Sequence, residues 1–308
     1  MRTYRKMSTM SRHLPLSLLA LSLLATSALA QSRLPAFELQ RLQFDPGALG
    51  SLVVGTGRTL DQGVLRTSIQ FQYEQQPLAF DDRWDPQTAQ ALVEGKFTAH
   101  LTAAYGALSW LQVGAQLPFI LGQSGTRRMD MLPPTSGGLD MPWVGARAGL
   151  LSMKNGMPVN LSLDMTAGLP VGTAEALAKE DLNLFPRLQV GTRTEWFQVG
   201  AEAGYLLRKK LDLSSFTGRP QDVVGNELRL AATVTGVGGK KTRGELSVLV
   251  GLPQQGGRTS VEALLAIRRH AKPWLDLWVL GGPGIGTAMD TPAFRVIAGA
   301  SISSAKID

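Results

Sequence analysis

The chain contains no cysteine, which excludes disulfide frameworks, thiolate metal sites and cysteine nucleophiles together. Histidine is almost as scarce, at three residues, so a metal centre built on imidazoles is not expected. Charged residues are only 18% of the chain, which argues against a disordered polyelectrolyte. Beyond residue 30 there is no run of about 18 apolar residues, and hence no membrane-crossing helix. What is present is glycine, at 34 of 308 residues, and a 44% apolar fraction that has to be accommodated without apolar helices.

Part of that fraction lies at the N-terminus. Arg2, Arg5, Lys6 and Arg12 precede the stretch LPLSLLALSLLATSALA, Leu14 to Ala30. A basic start, a short apolar run and a small-x-small ending make a secretory signal, with cleavage expected between Ala30 and Gln31. The formal charge of +7 comes from 31 basic and 24 acidic residues. Without the four basic residues of the signal the balance is 27 to 24, or +3. Nucleic-acid binding thereby loses its compositional support. Export without cysteine suits a periplasmic or outer-membrane address, and with no Cys after the signal a lipoprotein anchor is excluded.

From Gly63 onward the period is two. In VLRTSIQFQY, Leu65, Thr67, Ile69, Phe71 and Tyr73 share one face, and Arg66, Ser68, Gln70 and Gln72 the other, which is strand alternation. The same pattern recurs to give about twelve strands. Short links (Ala107 to Ser109, Lys154 to Gly156, the region of Glu195, Gly238 to Lys241, Ala271 to Pro273) alternate with longer polar ones (Glu74 to Leu92, Gly122 to Gly138, Thr173 to Leu182, Lys209 to Val223, Pro253 to Thr259, Pro283 to Thr291). Unpaired backbone is not tolerated in hydrocarbon, so a strand-rich chain spans a membrane only as a closed sheet. The fold class expected is all-β: an antiparallel up-and-down transmembrane β-barrel with short periplasmic turns and longer outer loops. A soluble β-sandwich is the alternative, but it predicts no alternation of link length. The organisation expected is 1–30 signal, 31–62 a lead-in lying in the periplasm, plugging the lumen or adding an edge strand, 63–304 barrel and 305–308 tail.

The polar faces carry charges of both signs. Arg66, Arg147, Arg187, Arg193, Arg229, Arg268 and Arg295 share the expected interior with Asp164, Glu202, Glu227, Glu245, Glu262 and Asp276. Tight-turn registers set Arg147 across from Asp164 and bring Arg268 close to Asp276. Such pairs brace a lumen, since buried charges must be paired, and they also make a weakly selective lining. Trp110, Trp196 and Trp274, with Tyr105, read as a periplasmic aromatic girdle, and Tyr73, Phe119 and Tyr205 as the outer one. His100 faces inward without a serine elbow or paired carboxylates beside it, and His270 is expected in a turn, so no catalytic residue, metal or cofactor is assigned. GVGGKKT (Gly236 to Thr242) and GGPGIGT (Gly281 to Thr287) both fail the phosphate-loop spacing. Among the outer loops, Phe80, Asp81, Asp82, Arg83, Trp84 and Asp85 cluster aromatic and charged groups and form the candidate partner contact.

Five segments carry a family resemblance: DPGALGSLVVGTG, FTAHLTAAYG, LQVGAQLPFIL, GNELRL and GTAMDTPAFRVIAGAS. Over roughly Phe44 to Ser304 the chain resembles the N-terminal barrel of bacterial OmpA-family, transporter-like outer-membrane proteins. Many members place this barrel before calcium-type repeats and a peptidoglycan-binding domain. That domain is not expected after Ser304, and no catalytic residues come with the resemblance. The expected function is a passive porin-like or transporter-like channel for small solutes, not an enzyme. A non-conducting structural or docking barrel in a cell-envelope or surface assembly is the alternative, with a membrane hydrolase more distant. Expected partners are outer-membrane lipid, the barrel-assembly machinery and an envelope or surface protein, with oligomeric state left open.

Overall fold

The computed structural model describes residues 40–79, 91–126, 133–134, 137–173, 181–214, 222–237, 241–286, 288 and 291–306. In chain order the strands are β1 (Leu65–Ala79), β2 (Ala91–Leu108), β3 (Leu111–Ser124), β4 (Gly138–Leu139), β5 (Trp143–Leu151), β6 (Asn160–Gly168), β7 (Asn183–Arg193), β8 (Phe197–Leu206), β9 (Leu211–Asp212), β10 (Val223–Val224), β11 (Glu227–Gly236), β12 (Thr242–Pro253), β13 (Ser260–Lys272), β14 (Leu275–Ile285) and β15 (Phe294–Ser303). Twelve of these are long. Each pairs antiparallel with its neighbours in sequence, and β1 pairs with β15 to close the ring. The two-residue β4 extends the edge of β3, while β9 and β10 form a separate ribbon. The first long link is shorter than the sequence implied, because β1 continues to Ala79 and β2 begins at Ala91.

Burial is inverted relative to a soluble protein. Along β1 exposed and buried positions alternate strictly from Leu65 to Glu74. The exposed set is Leu65, Thr67, Ile69, Phe71 and Tyr73, and the buried set is Arg66, Ser68, Gln70, Gln72 and Glu74. The same holds around the ring: Leu101, Leu117, Leu163, Leu188, Leu246, Leu265 and Val279 are on the outside, while Arg147, Arg187, Glu245 and Asp276 are buried within. An apolar skin this continuous fits a bilayer rather than water. The strand ladder satisfies the backbone without help from solvent.

Residues 40–60 lie inside the ring. Leu42, Phe44, Ala48, Leu52, Val53 and Val54 form one buried cluster with Leu264 and Ala266 of β13, Trp278 and Leu280 of β14, and Ile297 of β15. The glycines of this segment are fitted to the wall. At Gly57 φ is +74°, a conformation side chains rarely adopt, and an added Cβ would stand 2.6 Å from the Asn160 carbonyl oxygen of β6. At Gly55 an added Cβ would meet the Gln189 amide at 2.1 Å. Of the lead-in's described residues, 40–60 fill the ring as a plug, and Asp61 and Gln62 are exposed at its mouth.

Candidate functional site: the filled lumen

The plug is fastened at its loop end and along its middle by polar contacts. Asp45-Pro46-Gly47 makes a turn in which Ala48 N donates to the Asp45 carbonyl at 3.0 Å and Gly47 N donates to the Asp45 carboxylate at 3.1 Å. This presents the carboxylate to Arg147, whose Nη2 is 3.0 Å away. Arg147 also donates from Nε to Asp164 at 3.0 Å and from Nη1 to the Arg58 carbonyl at 3.1 Å. One guanidinium thus joins β5, β6 and two points of the plug. Further along, the Glu245 carboxylate accepts from the Ser51 hydroxyl and from Leu52 N at 3.1 Å, and Glu202 accepts from Gly55 N at 2.9 Å. At the loop end Arg41 donates to Glu227 at 2.6 Å. At the turn end Asp61 pairs with Lys154, but both are exposed, so this pair contributes little.

The inward charges named from sequence are distributed as follows. Arg147 and Asp164 are direct register partners, and Arg187 donates to Asp164 at 2.6 Å, with Glu202 3.8 Å away. Arg295 is held by Glu262 at 3.0 Å and by Glu74 at 3.1 Å. Arg229 donates to the Arg41 carbonyl at 3.1 Å and lies near Glu227 at 3.4 Å. Arg193, the last residue of β7, is exposed at the turn-end mouth. His100 is fully buried, its Nδ1 3.4 Å from the Gln116 amide and its ring edge-on to Phe44 at 5.0 Å.

Two expectations are corrected. Arg268 does not meet Asp276. Strand β13 runs on to Lys272, the turn is made by Pro273 and Trp274, and His270 is the residue across from Asp276. Asp276 is bonded to His270 and accepts from Arg66 at 2.7 Å, while Arg268 donates to the Ala48 carbonyl at 2.7 Å. For the same reason His270 belongs to a strand and not to a turn. Sequence reasoning also missed the Lys96–Asp140 pair at 3.1 Å, buried on both sides, and Glu74. Glu74 falls in the segment expected as a loop, Glu74 to Leu92, and so lies outside the expected interior set, whereas β1 continues through it to Ala79.

Outside, Tyr73, Tyr105, Trp110, Phe119, Trp196 and Trp274 are exposed, Trp196 most of all at 65%, and Tyr205 is half-buried. At the loop end Lys209 donates to Asp181 at 2.9 Å; that hydrogen bond holds the Lys209 ammonium above its ordinary range. Residues Phe80 to Asp85, Ala30 and Gln31 lie outside the described residues.

Between plug and wall runs a file of voids on one side of the lumen. A vestibule of about 540 Å³ opens at the turn-end mouth, lined among others by Arg58, Asn160, Arg193 and Trp110. Beyond it lie cavities of about 30 Å³ at Arg147, Asp164 and Arg187, about 50 Å³ at Arg187, Glu202 and Arg229, and about 20 Å³ at Arg41, Glu227 and Arg258. Each of the last three has room for about one to a few waters.

No protein-family model matches the sequence, and no curated protein matches it. Solved structures do match. The COG4313 outer membrane channel from Pseudomonas putida F1 superposes with a TM-score of 0.61 at 12% identity, over 85% of this chain and 100% of that one. The NanC porin does so with a TM-score of 0.52 at 11% identity, over 77% of this chain and 98% of that one. At such identities the likeness is one of fold: the chain has the architecture of an outer-membrane β-barrel.

Proposed function

We propose that the protein is a passive outer-membrane channel for small solutes, kept narrow by its own N-terminal segment. The observation that carries this reading is the file of voids along β5, β6, β7, β8 and β11. These separate voids lie between the vestibule and the loop end, and their linings include the paired charges Arg147, Asp164, Arg187, Glu202 and Glu227 among apolar groups. That the two superposed structures named above are an outer membrane channel and a porin supports the same reading. In this account the signal is cleaved after Ala30, insertion uses the barrel-assembly machinery, and the short turns face the periplasm. The kinship with OmpA-family barrels is part of the proposal and rests on the five segments that suggested it. No step of the account requires an enzymatic residue.

The pairing of Arg147 and Arg187 with acids makes the lining nearly neutral, so selectivity between cations and anions is weak. In planar bilayers the purified protein is expected to give small conductance steps with a reversal potential near zero in a salt gradient. Liposomes containing it should swell with the smallest polar solutes and not with disaccharides. Swelling no faster than that of empty liposomes for every solute, together with electrical silence, would favour the structural-barrel alternative.

A further inference from the structure

Among the described residues the two ends of the barrel differ in exposed charge. Among the described residues at the turn end, Lys154, Arg193, Lys241, Arg269, Lys272 and Lys306 are exposed cations. The exposed anions there are Asp61 and Glu195, and Asp61 is already paired with Lys154. At the loop end Lys209 and Lys210 face Glu94, Asp181 and Asp212. The basic end is also the end of Trp110, Trp196 and Trp274, indoles that mark the headgroup level of a bilayer. The two features meet at one place, where Lys272 Nζ stands 5.1 Å over the Trp274 ring. The Trp274 carbonyl accepts from Ser303 N at 3.0 Å, which brings the end of β15, and Lys306 just beyond it, alongside.

From this point a groove of about 370 Å³ runs across the outer wall. Leu275 and Ile302 start it. Thr67, Ala103 and Ala115, small residues in one register row, form its floor. Ile69 stands along one side. An ammonium group over an indole at one end, a second exposed lysine just past the end of β15 and an apolar trough leading away match the two parts of one molecule. We infer that this site holds an anionic phospholipid of the periplasmic leaflet, its phosphodiester between Lys272 and Lys306 and an acyl chain in the groove over Thr67, Ala103 and Ala115. The inference rests on the turn end facing the periplasm; it is independent of whether the lumen conducts.

Native mass spectrometry of the full barrel released from detergent tests it, with phosphatidylglycerol, cardiolipin and phosphatidylethanolamine added in turn. The wild type is expected to retain the two anionic lipids roughly tenfold or more over the zwitterionic one, and excess inorganic phosphate should not displace them. Lys272→Gln with Lys306→Gln should abolish the preference. Ala103→Phe, which fills the groove from its lipid-facing side, should lower retention of all three lipids while leaving the gel shift between unboiled and boiled protein intact. Equal retention of all lipids by the wild type would overturn the assignment, as would a preference untouched by either variant. A dimer dissociated by Ala103→Phe with lipid retention unchanged would give the groove to a second copy. Sedimentation with peptidoglycan sacculi lost in the double lysine variant, without any lipid preference, would give the rim to the cell wall.

Discussion

Replacing both Leu52 and Val54 with aspartate is expected to raise single-channel conductance on the order of tenfold, because a twelve-stranded ring emptied of its filling is intermediate between small filled barrels and open porins. The two side chains are 2% and 0% exposed and sit in the apolar cluster with Leu264, Trp278 and Ile297. A carboxylate placed there without a partner costs several kcal/mol, and Glu245, which already receives Leu52 N, adds like-charge repulsion. The ring is held by its own ladder of twelve paired strands, so the segment leaves the lumen while the wall persists. Bilayer recordings check the conductance, and an unchanged gel shift checks the barrel. An intact barrel with wild-type conductance would mean that residues 40–60 are not what narrows the path.

The second large effect is on stability. Arg147→Leu should destabilise the barrel by about 3–5 kcal/mol in urea titrations on lipid vesicles, the range for removing one partner of a buried ion pair. The guanidinium serves Asp45, Asp164 and the Arg58 carbonyl at once. Asp164 keeps Arg187 when it is lost, whereas Asp45 is left with the hydrogen bond from Gly47 N and no paired cation in its place. Adding Asp45→Leu to Arg147→Leu should therefore recover most of the loss, since an apolar pair carries no stranded charge. A loss under about 1 kcal/mol in the single variant would show the pair to be solvated.

These expectations mark where the sequence was legible. Strand period, strand number and the alternation of short and long links follow from residues in local sequence, because in a barrel every strand pairs with its neighbour in the chain and carries one lipid face. Inward polar positions such as Arg66, Arg147 and Glu245 follow from the same parity. The plug does not. Nothing in FDPGALGSLVVGTG alternates, and its place depends on contacts some 200 residues away, as between Ser51 and Glu245. A signal was nevertheless present: Leu264, Ala266, Trp278, Leu280 and Ile297 are apolar residues at inward parity on three successive strands, a patch that a water-filled lumen would not retain. The misplacement of Arg268 has another origin. Parity fixes which face a side chain takes, but cross-strand partners depend on the turn, and setting the β13–β14 turn at Ala271 and Lys272 instead of Pro273 and Trp274 displaced every pair in that hairpin.

The central claim is that residues 40–60 occupy the lumen, and the absence of native cysteine makes a direct measurement possible. Ser51 of the plug and Ser247 of β12 both donate their hydroxyls to the same Glu245 carboxylate oxygen. Ser51→Cys with Ser247→Cys should therefore be joined by a short thiol cross-linker in intact cells, as efficiently as the wall pair Ser68→Cys with Ser301→Cys, whose native hydroxyls are 2.8 Å apart. Cross-linking of the wall pair with none between positions 51 and 247 would contradict the filled lumen.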